Sequence, residues 1–251
     1  MALLEVKHLH TFFKTRKGIV KAVNDVSYSL EPGRTIGIVG ESGSGKSVSA
    51  MSILRLLDGN GYIDSGEVLF EGEDLTKMKL NDLYKVRGDK ISVIFQEPMT
   101  SLNPVFTVGY QIGEVLRLHK GMDFRQARMR AVELLGEVGI ADPERKVDAW
   151  PHQLSGGQQQ RVAIARALAA QPPVILADEP TGNLDSASSK EILQILKNMH
   201  KQGKTVILIT HDNGIAAQAR RVVRIIDGKI ESDFINKNYG KKEYVKNQLD
   251  A

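Results

Sequence analysis

Two stretches of this chain carry the residue types that phosphate chemistry needs. Gly40-Glu-Ser-Gly-Ser-Gly-Lys-Ser47 reads G-x-x-x-x-G-K-S. Glycines at that spacing let the backbone wrap until successive N–H groups point at phosphate oxygens, and a helix starting at its end adds the positive pole of its dipole. Lys46 supplies a point charge for the β- and γ-phosphates, and Ser47 a hydroxyl that can ligate Mg²⁺. Gly40, Glu41, Ser42, Gly43, Ser44, Gly45, Lys46, Ser47 and Val48 are the nucleoside-triphosphate set of this loop. The second stretch, Pro173-Val-Ile-Leu-Ala-Asp178-Glu179, is an apolar strand ending in two acids. Asp178 suits the Mg²⁺ shell, and Glu179, one residue on and turned away from the metal, is placed to polarise an attacking water. A further apolar strand, Thr205–Thr210, ends in His211, a position suited to the γ-phosphate and that water. Leu154-Ser155-Gly156-Gly157-Gln158 opens a helical pattern. Ser155 reads as its cap and the glycines leave the backbone open to a ligand, a second phosphate-seeking helix start.

The elements that must hold these residues follow from periodicity. Alternation predicts strands over Leu3–Lys7 and Ala22–Leu30, and apolar runs predict strands over Thr35–Val39, Ile91–Phe95, Val174–Ala177, Thr205–Thr210 and Val222–Ile226. A hairpin-like stretch covers Gly66–Gly72, and helical spacing covers Val48–Leu57, Val108–His119, Arg125–Val138, Gln158–Ala170 and Ser188–Lys201. Strands alternating with helices argue for a parallel α/β sheet. The 251 residues, 41% hydrophobic and 25% charged, are enough for a substantial core and exclude wholesale disorder. No apolar run reaches the ~18 residues that cross a bilayer. The absence of cysteine removes disulfides, thiolate metal sites and cysteine nucleophiles. With 34 basic against 30 acidic residues the surface reads as mixed and solvated, not as a nucleic-acid face. The N-terminal residues lack a secretory pattern, so a cytosolic chain is expected. His8 and His10 share a strand face without a third ligand, His119 and His200 read as solvated, and Trp150 and His152 as packing or loop contacts.

The ordered set of phosphate loop, Gln96 after the strand at 91–95, Leu-Ser-Gly-Gly-Gln, Asp178-Glu179, Asn183-Leu184-Asp185 and His211 closely resembles the nucleotide-binding subunit of ATP-binding cassette (ABC) transporters. The resemblance covers about residues 3–233. It implies an α/β fold: a P-loop NTPase (RecA-like) core with an antiparallel β subdomain and an inserted helical subdomain. In chain terms that is an ATPase domain over 1–234, helical at about 105–170, and a short polar tail over 235–251. It also implies ATP as substrate with Mg²⁺, the metal being held by Ser47, Gln96 and Asp178, and catalysis by Glu179, His211 and Gln96. Asp185 joins the nucleotide set, and Phe13 stacks on adenine, with Phe12 as its alternative. Ser155, Gly156, Gly157 and Gln158 would complete the site of a second ATPase subunit in a head-to-tail homodimer or paralogous heterodimer.

Within the family, Gln96–Pro104, Gly40–Ser44 and Trp150–Gly157 look like the oligopeptide, dipeptide and nickel importers. Thr181–Asp185 and Arg221–Gly228 look more like lipoprotein-release and macrolide-export ATPases. The clustered-cysteine extension of the peptide importers is not in this sequence. The reading is therefore an ATPase that powers peptide-type import, with the export type, and then a soluble non-transport cassette, as alternatives. It would sit peripherally on the cytoplasmic face of the inner membrane. Its partners would be permease subunits and an extracytoplasmic solute-binding protein, and no nucleic acid. Docking is expected through Gln96–Phe106 and the adjoining helices, with Met99 and Leu102 as its exposed apolar contacts.

Overall fold

The structure is a computed structural model that describes residues 2–237 and Tyr239, Met99 in its backbone only. Two compact units emerge, one formed by Met1–Leu83 with Thr205–Ala251 and the other by Tyr84–Lys204.

The first unit opens on an antiparallel hairpin, β1 (Leu4–Thr15) and β2 (Gly18–Leu30). β1 runs well past its expected end at Lys7. The reason is a bulge: His8 and Asp25 adopt φ of 46° and 72°, and the register shifts between Val6 and Leu9. The extra residue breaks the period of two, so alternation fades at Lys7 although the strand continues. His8 Nδ1 lies 2.8 Å from Asp25 Oδ1 within this bulge. Among the described residues no group of three or more His, Asp or Glu is arranged to hold a metal.

After β3 (Thr35–Val39) and α1 (Lys46–Ile53) come β4 (Gly61–Phe70), which pairs with β1, and the short β5 (Glu73–Asp74). The helix ends before the expected Leu57 because Arg55 turns left-handed, at φ 53°. The unit boundary falls within α2 (Leu80–Val86).

The second unit contains the parallel pair β6 (Ile91–Ile94) and β7 (Val174–Asp178). Between them run α3 (Pro98–Ser101), α4 (Val108–Lys120), α5 (Phe124–Glu137), α6 (Pro143–Lys146) and α7 (Gly156–Leu168), and α8 (Ser186–Lys201) follows β7. The helices start where side-chain oxygens accept otherwise orphaned N–H groups. Thr107 caps α4, and Asp123 forms a reciprocal capping box with Gln126 on α5. Ile112, Leu116, Leu134, Leu135, Val162 and Ile164 bury the apolar stripes of α4, α5 and α7, each contributing about 1.5–3 kcal/mol relative to exposure.

The chain then returns to the first unit. There β8 (Thr205–Thr210) and β9 (Arg221–Ile226) flank β3 in parallel, with α9 (Asn213–Ala216) between them and β10 (Lys229–Ile235) antiparallel to β9. Every residue of β3 and β8 is buried, which is why both read as continuous apolar runs rather than alternations.

One expectation changes. Leu102 is not an exposed contact: it is 1% exposed, its N–H donating to Pro98 O as α3 closes. The exposed apolar side chains nearby are Val105 and Phe106. The polar tail expected over 235–251 is described only in part. Ile235 is the last residue of β10, and Asn236 Nδ2 donates to Ala217 O at 2.6 Å. Residue 238 and residues 240–251 of that tail lie outside the described residues.

Candidate functional site

The sequence-derived site residues divide between the two units. Phe13, Gly40 to Val48 and His211 belong to the first; Gln96, Ser155 to Gln158, Asp178, Glu179 and Asp185 belong to the second.

In the first unit the phosphate loop connects β3 to α1 and is fixed by its backbone. Gly45 caps α1 at φ 95°, and a Cβ there would overlap the carbonyl oxygen of Ala22 on β2. A Cβ on Gly40 would overlap Ile225 O and the Ser44 hydroxyl. Gly228 N donates to Ser44 O at 2.9 Å, and Asn24 N donates to Gly228 O at 2.7 Å. The turn after β9 thus braces the loop from outside. Lys46 is buried, with Nζ donating to Glu41 O at 3.1 Å across the loop it belongs to. The Ser44 hydroxyl is buried without a hydrogen-bond partner. A turn closed by main-chain packing, with an orphaned hydroxyl and a lysine inside it, fits a triphosphate.

Phe12 and Phe13 are no longer equivalent. Phe12 is buried, edge-on to Tyr62 at 6.2 Å with Lys21 Nζ over its ring. Phe13 is half-buried and lies against Gly61, leaving it as the aromatic available to a base. His211 is exposed just beyond β8; the next residue, Asp212, caps α9 through Gly214 N and Ile215 N.

In the second unit, Glu179 follows β7 at φ 46°, a left-handed conformation rare outside glycine, and it is buried. Such backbone strain costs on the order of 1–3 kcal/mol and collects at functional positions. Gly182 N donates to Glu179 O, closing a tight turn after the acids. Gln96 is exposed, and its amide lies close enough to Gly182 that a Cβ there would sit 3.0 Å from Nε2. Taken separately, the Ser47 hydroxyl in the first unit and the Asp178 carboxylate in the second are each hard oxygen donors of the kind Mg²⁺ prefers.

The Leu-Ser-Gly-Gly-Gln segment is a capping box. Ser155 Oγ accepts from Gln158 N at 3.4 Å, and Gln158 Oε1 accepts from Ser155 N at 3.1 Å. Gly157 is needed within the chain itself, since a Cβ there would lie 2.7 Å from Ser188 Oγ on α8. Asp185 caps α8: Oδ1 accepts from Ala187 N and Ser188 N, and Oδ2 from Ser188 Oγ. The Ser188 N–H, followed by its hydroxyl, holds this carboxyl below the ordinary carboxylate value.

Sequence reasoning missed a set of buried and half-buried polar side chains that hold the loops of this unit. Gln111 on α4 receives Asn103 N at its Oε1 and donates Nε2 to Asn103 O and Phe106 O. Arg166 on α7 donates to Ser101 O at 2.7 Å, and its burial pushes the guanidinium pKa down against the pull of Glu114. Gln159 donates to Pro151 O and Leu154 O, and Gln160 to Phe95 O and Pro180 O. A polar residue in an amphipathic helix reads as solvated; the one available signal was that Gln159 and Gln160 fall on the face that also carries Ala163 and Ile164.

A glycine loop between strand and helix, an acid-ended strand and a capped Leu-Ser-Gly-Gly-Gln helix define a P-loop ATPase cassette. The profile described as ABC transporter matches residues 23–182, and the chain belongs to that family. A Brucella melitensis ATP-binding protein named for peptide import is 46% identical over 238 residues, 94% of this chain and 72% of its own. The oligopeptide transport ATP-binding protein of Bacillus subtilis is 49% identical over 91% of this chain and 64% of its own. Among solved structures, a dimeric ATP-binding cassette in a post-hydrolysis state with ADP and phosphate superposes with a TM-score of 0.84 at 35% identity, covering 94% of this chain and all of that one.

Proposed function

We propose that this chain is the ATP-hydrolysing subunit of a peptide-type importer, peripheral to the membrane and working as a dimer on permease subunits. The observation that carries this reading is the 46% identity to a protein named for peptide import, sustained over 94% of the chain. Among the described residues no helix is long and apolar enough to cross a membrane, so the solute path would belong to partner subunits.

In this reading, Lys46 and the loop N–H groups hold the phosphates of ATP, and Phe13 stacks on the adenine. Glu179 accepts the proton of the attacking water, while His211 and Gln96 orient that water and the γ-phosphate. Ser47, Gln96 and Asp178 would hold Mg²⁺, which when bound neutralises charge on the phosphates. The capped start of α7 (Ser155 to Gln158) and Asp185 would act on the nucleotide of the second ATPase subunit.

The permease surface is read from the second unit. Phe106 and Tyr110 stack at 4.7 Å, and Arg117 lies over the Phe124 ring at 4.0 Å. Tyr110, Arg117 and Phe124 line a groove of about 220 Å³ between α4 and α5. Exposed Val105 extends this apolar face, and an apolar permease loop rimmed with acidic residues would fit it. The test is purification of the tagged chain from membranes, followed by peptide uptake in vesicles made from the complex. Permease copurification and ATP-driven uptake of a labelled peptide support the reading. Copurification with permeases that expel a lipoprotein or a macrolide, with no peptide uptake, overturns it.

A further inference from the structure

Gln160 lies on α7 and is fully buried, at 0% exposure. Its Nε2 donates to Phe95 O at 3.1 Å and to Pro180 O at 3.0 Å. Phe95 immediately precedes Gln96, and Pro180 immediately follows Glu179. One side-chain amide thus joins the exits of β6 and β7, the points just beyond which Gln96 and Glu179 stand. Its other end is poorly provided for: Oε1 is buried with no hydrogen-bond partner. Buried polar atoms are paired in the great majority of cases, and an apolar side chain would fill this volume without an orphaned acceptor. Stability alone does not account for an amide here. Geometry does, because Nε2 has two donor hydrogens and both carbonyls lie within reach of it. The strained φ of 46° at Glu179 is the feature most in need of such a tether, because a left-handed backbone persists only where its surroundings over-determine it.

We propose that Gln160 is a positioning residue for hydrolysis: by holding the carbonyls of Phe95 and Pro180 to one amide it fixes the turn on which the Glu179 carboxylate stands. This rests on the reading of Glu179 as the group that activates water. Gln160 touches no substrate itself. It sits on the helix that Ser155 caps, so displacement of α7 is passed to both strand exits through a single side chain.

The test uses the full chain with Mg-ATP. Gln160→Met keeps the length and removes both donors. Its kcat for ATP should fall at least about tenfold, or ~1.4 kcal/mol of barrier, with KM and labelled-ATP affinity within about threefold of wild type. Gln194→Met removes a solvent-facing amide on α8 that pairs only with Asn198, and should leave kcat within about threefold. If Gln160→Met does not fold, Gln160→Asn takes its place, since it retains the amide but is one methylene too short to span both carbonyls. In a Glu179→Gln background the Gln160 substitution should cost no further rate, because the group it positions is gone. A folded Gln160 variant with wild-type kcat overturns the proposal while Glu179 keeps its role. Losses that multiply in the double variant also overturn it, since they show that Gln160 acts independently of the carboxylate. Wild-type hydrolysis by Glu179→Gln alone removes the reading beneath the proposal, and the proposal with it.

Discussion

The two units hold their chemistry by different means. In the first, the phosphate loop is fixed by main chain against main chain: Gly45 packs on the Ala22 carbonyl, Gly40 on that of Ile225, and Gly228 clasps Ser44 O. In the second, the loops are fixed by side chains that reach backbone carbonyls: Gln111 and Gln159 hold nearby turns, and Gln160 and Arg166 reach carbonyls distant in sequence. A backbone cradle tolerates almost no substitution at its glycines. It also presents N–H groups at fixed positions, as phosphate oxygens require. Side-chain tethers can lengthen or exchange partners, so the second unit can adjust where the first cannot.

The comparison breaks most sharply at the reaction itself. Glu179→Gln should lower hydrolysis by about a hundredfold or more while leaving ATP affinity nearly intact. Lys46→Ala should weaken ATP binding by roughly tenfold to a hundredfold, the loss of one charge-assisted contact. Phosphate release and labelled-ATP binding, measured on both variants, separate the two halves. A Glu179→Gln protein that also fails to bind ATP would show that the division of labour is wrong.

Smaller effects sharpen the contrast. Gly45→Ala should destabilise the first unit by more than the ~1–3 kcal/mol of left-handed strain, because the new Cβ also meets Ala22 O. Gly43→Ala shares a positive φ, 82°, but no atom lies within 4 Å of its Cβ, so its melting temperature should fall less. Equal falls in calorimetry would mean that crowding at Ala22 is not what fixes Gly45.

The smallest effect is a pH dependence in the second unit. The folded pKa of Asp185 lies below the ordinary 3.8, so its contribution to stability is complete above that value and is lost as pH falls through the folded pKa. Asp185→Asn should melt slightly below wild type at neutral pH, and the gap should close in acid, where the protonated aspartate resembles asparagine. A gap independent of pH would show that the cap at α8 works without its charge.

What could be read in advance follows the same division. The loop at Gly40–Ser47, the buried strands β3, β7 and β8, and the acids closing β7 were legible because each is a local demand of backbone or burial that one stretch of sequence must meet. The full length of β1 was not, since the bulge at His8 and Asp25 erases the alternation that marks a strand. Leu102 and Val105 are both aliphatic residues in one Pro-bounded segment, and nothing local says which turns inward; Arg166 gripping Ser101 O and Gln111 gripping Asn103 decide it.

By itself, then, the sequence determined the class of chemistry, because phosphate binding at a glycine loop and an acid at a strand end depend on residues adjacent in the chain. Tertiary structure alone decided how Glu179 is held. Phe95, Gln160 and Pro180 are far apart in sequence, and only folding brings two strand exits to one buried amide. A hydrogen bond between distant residues leaves no period and no motif, and so the tether on the turn after Glu179 had to be seen in three dimensions.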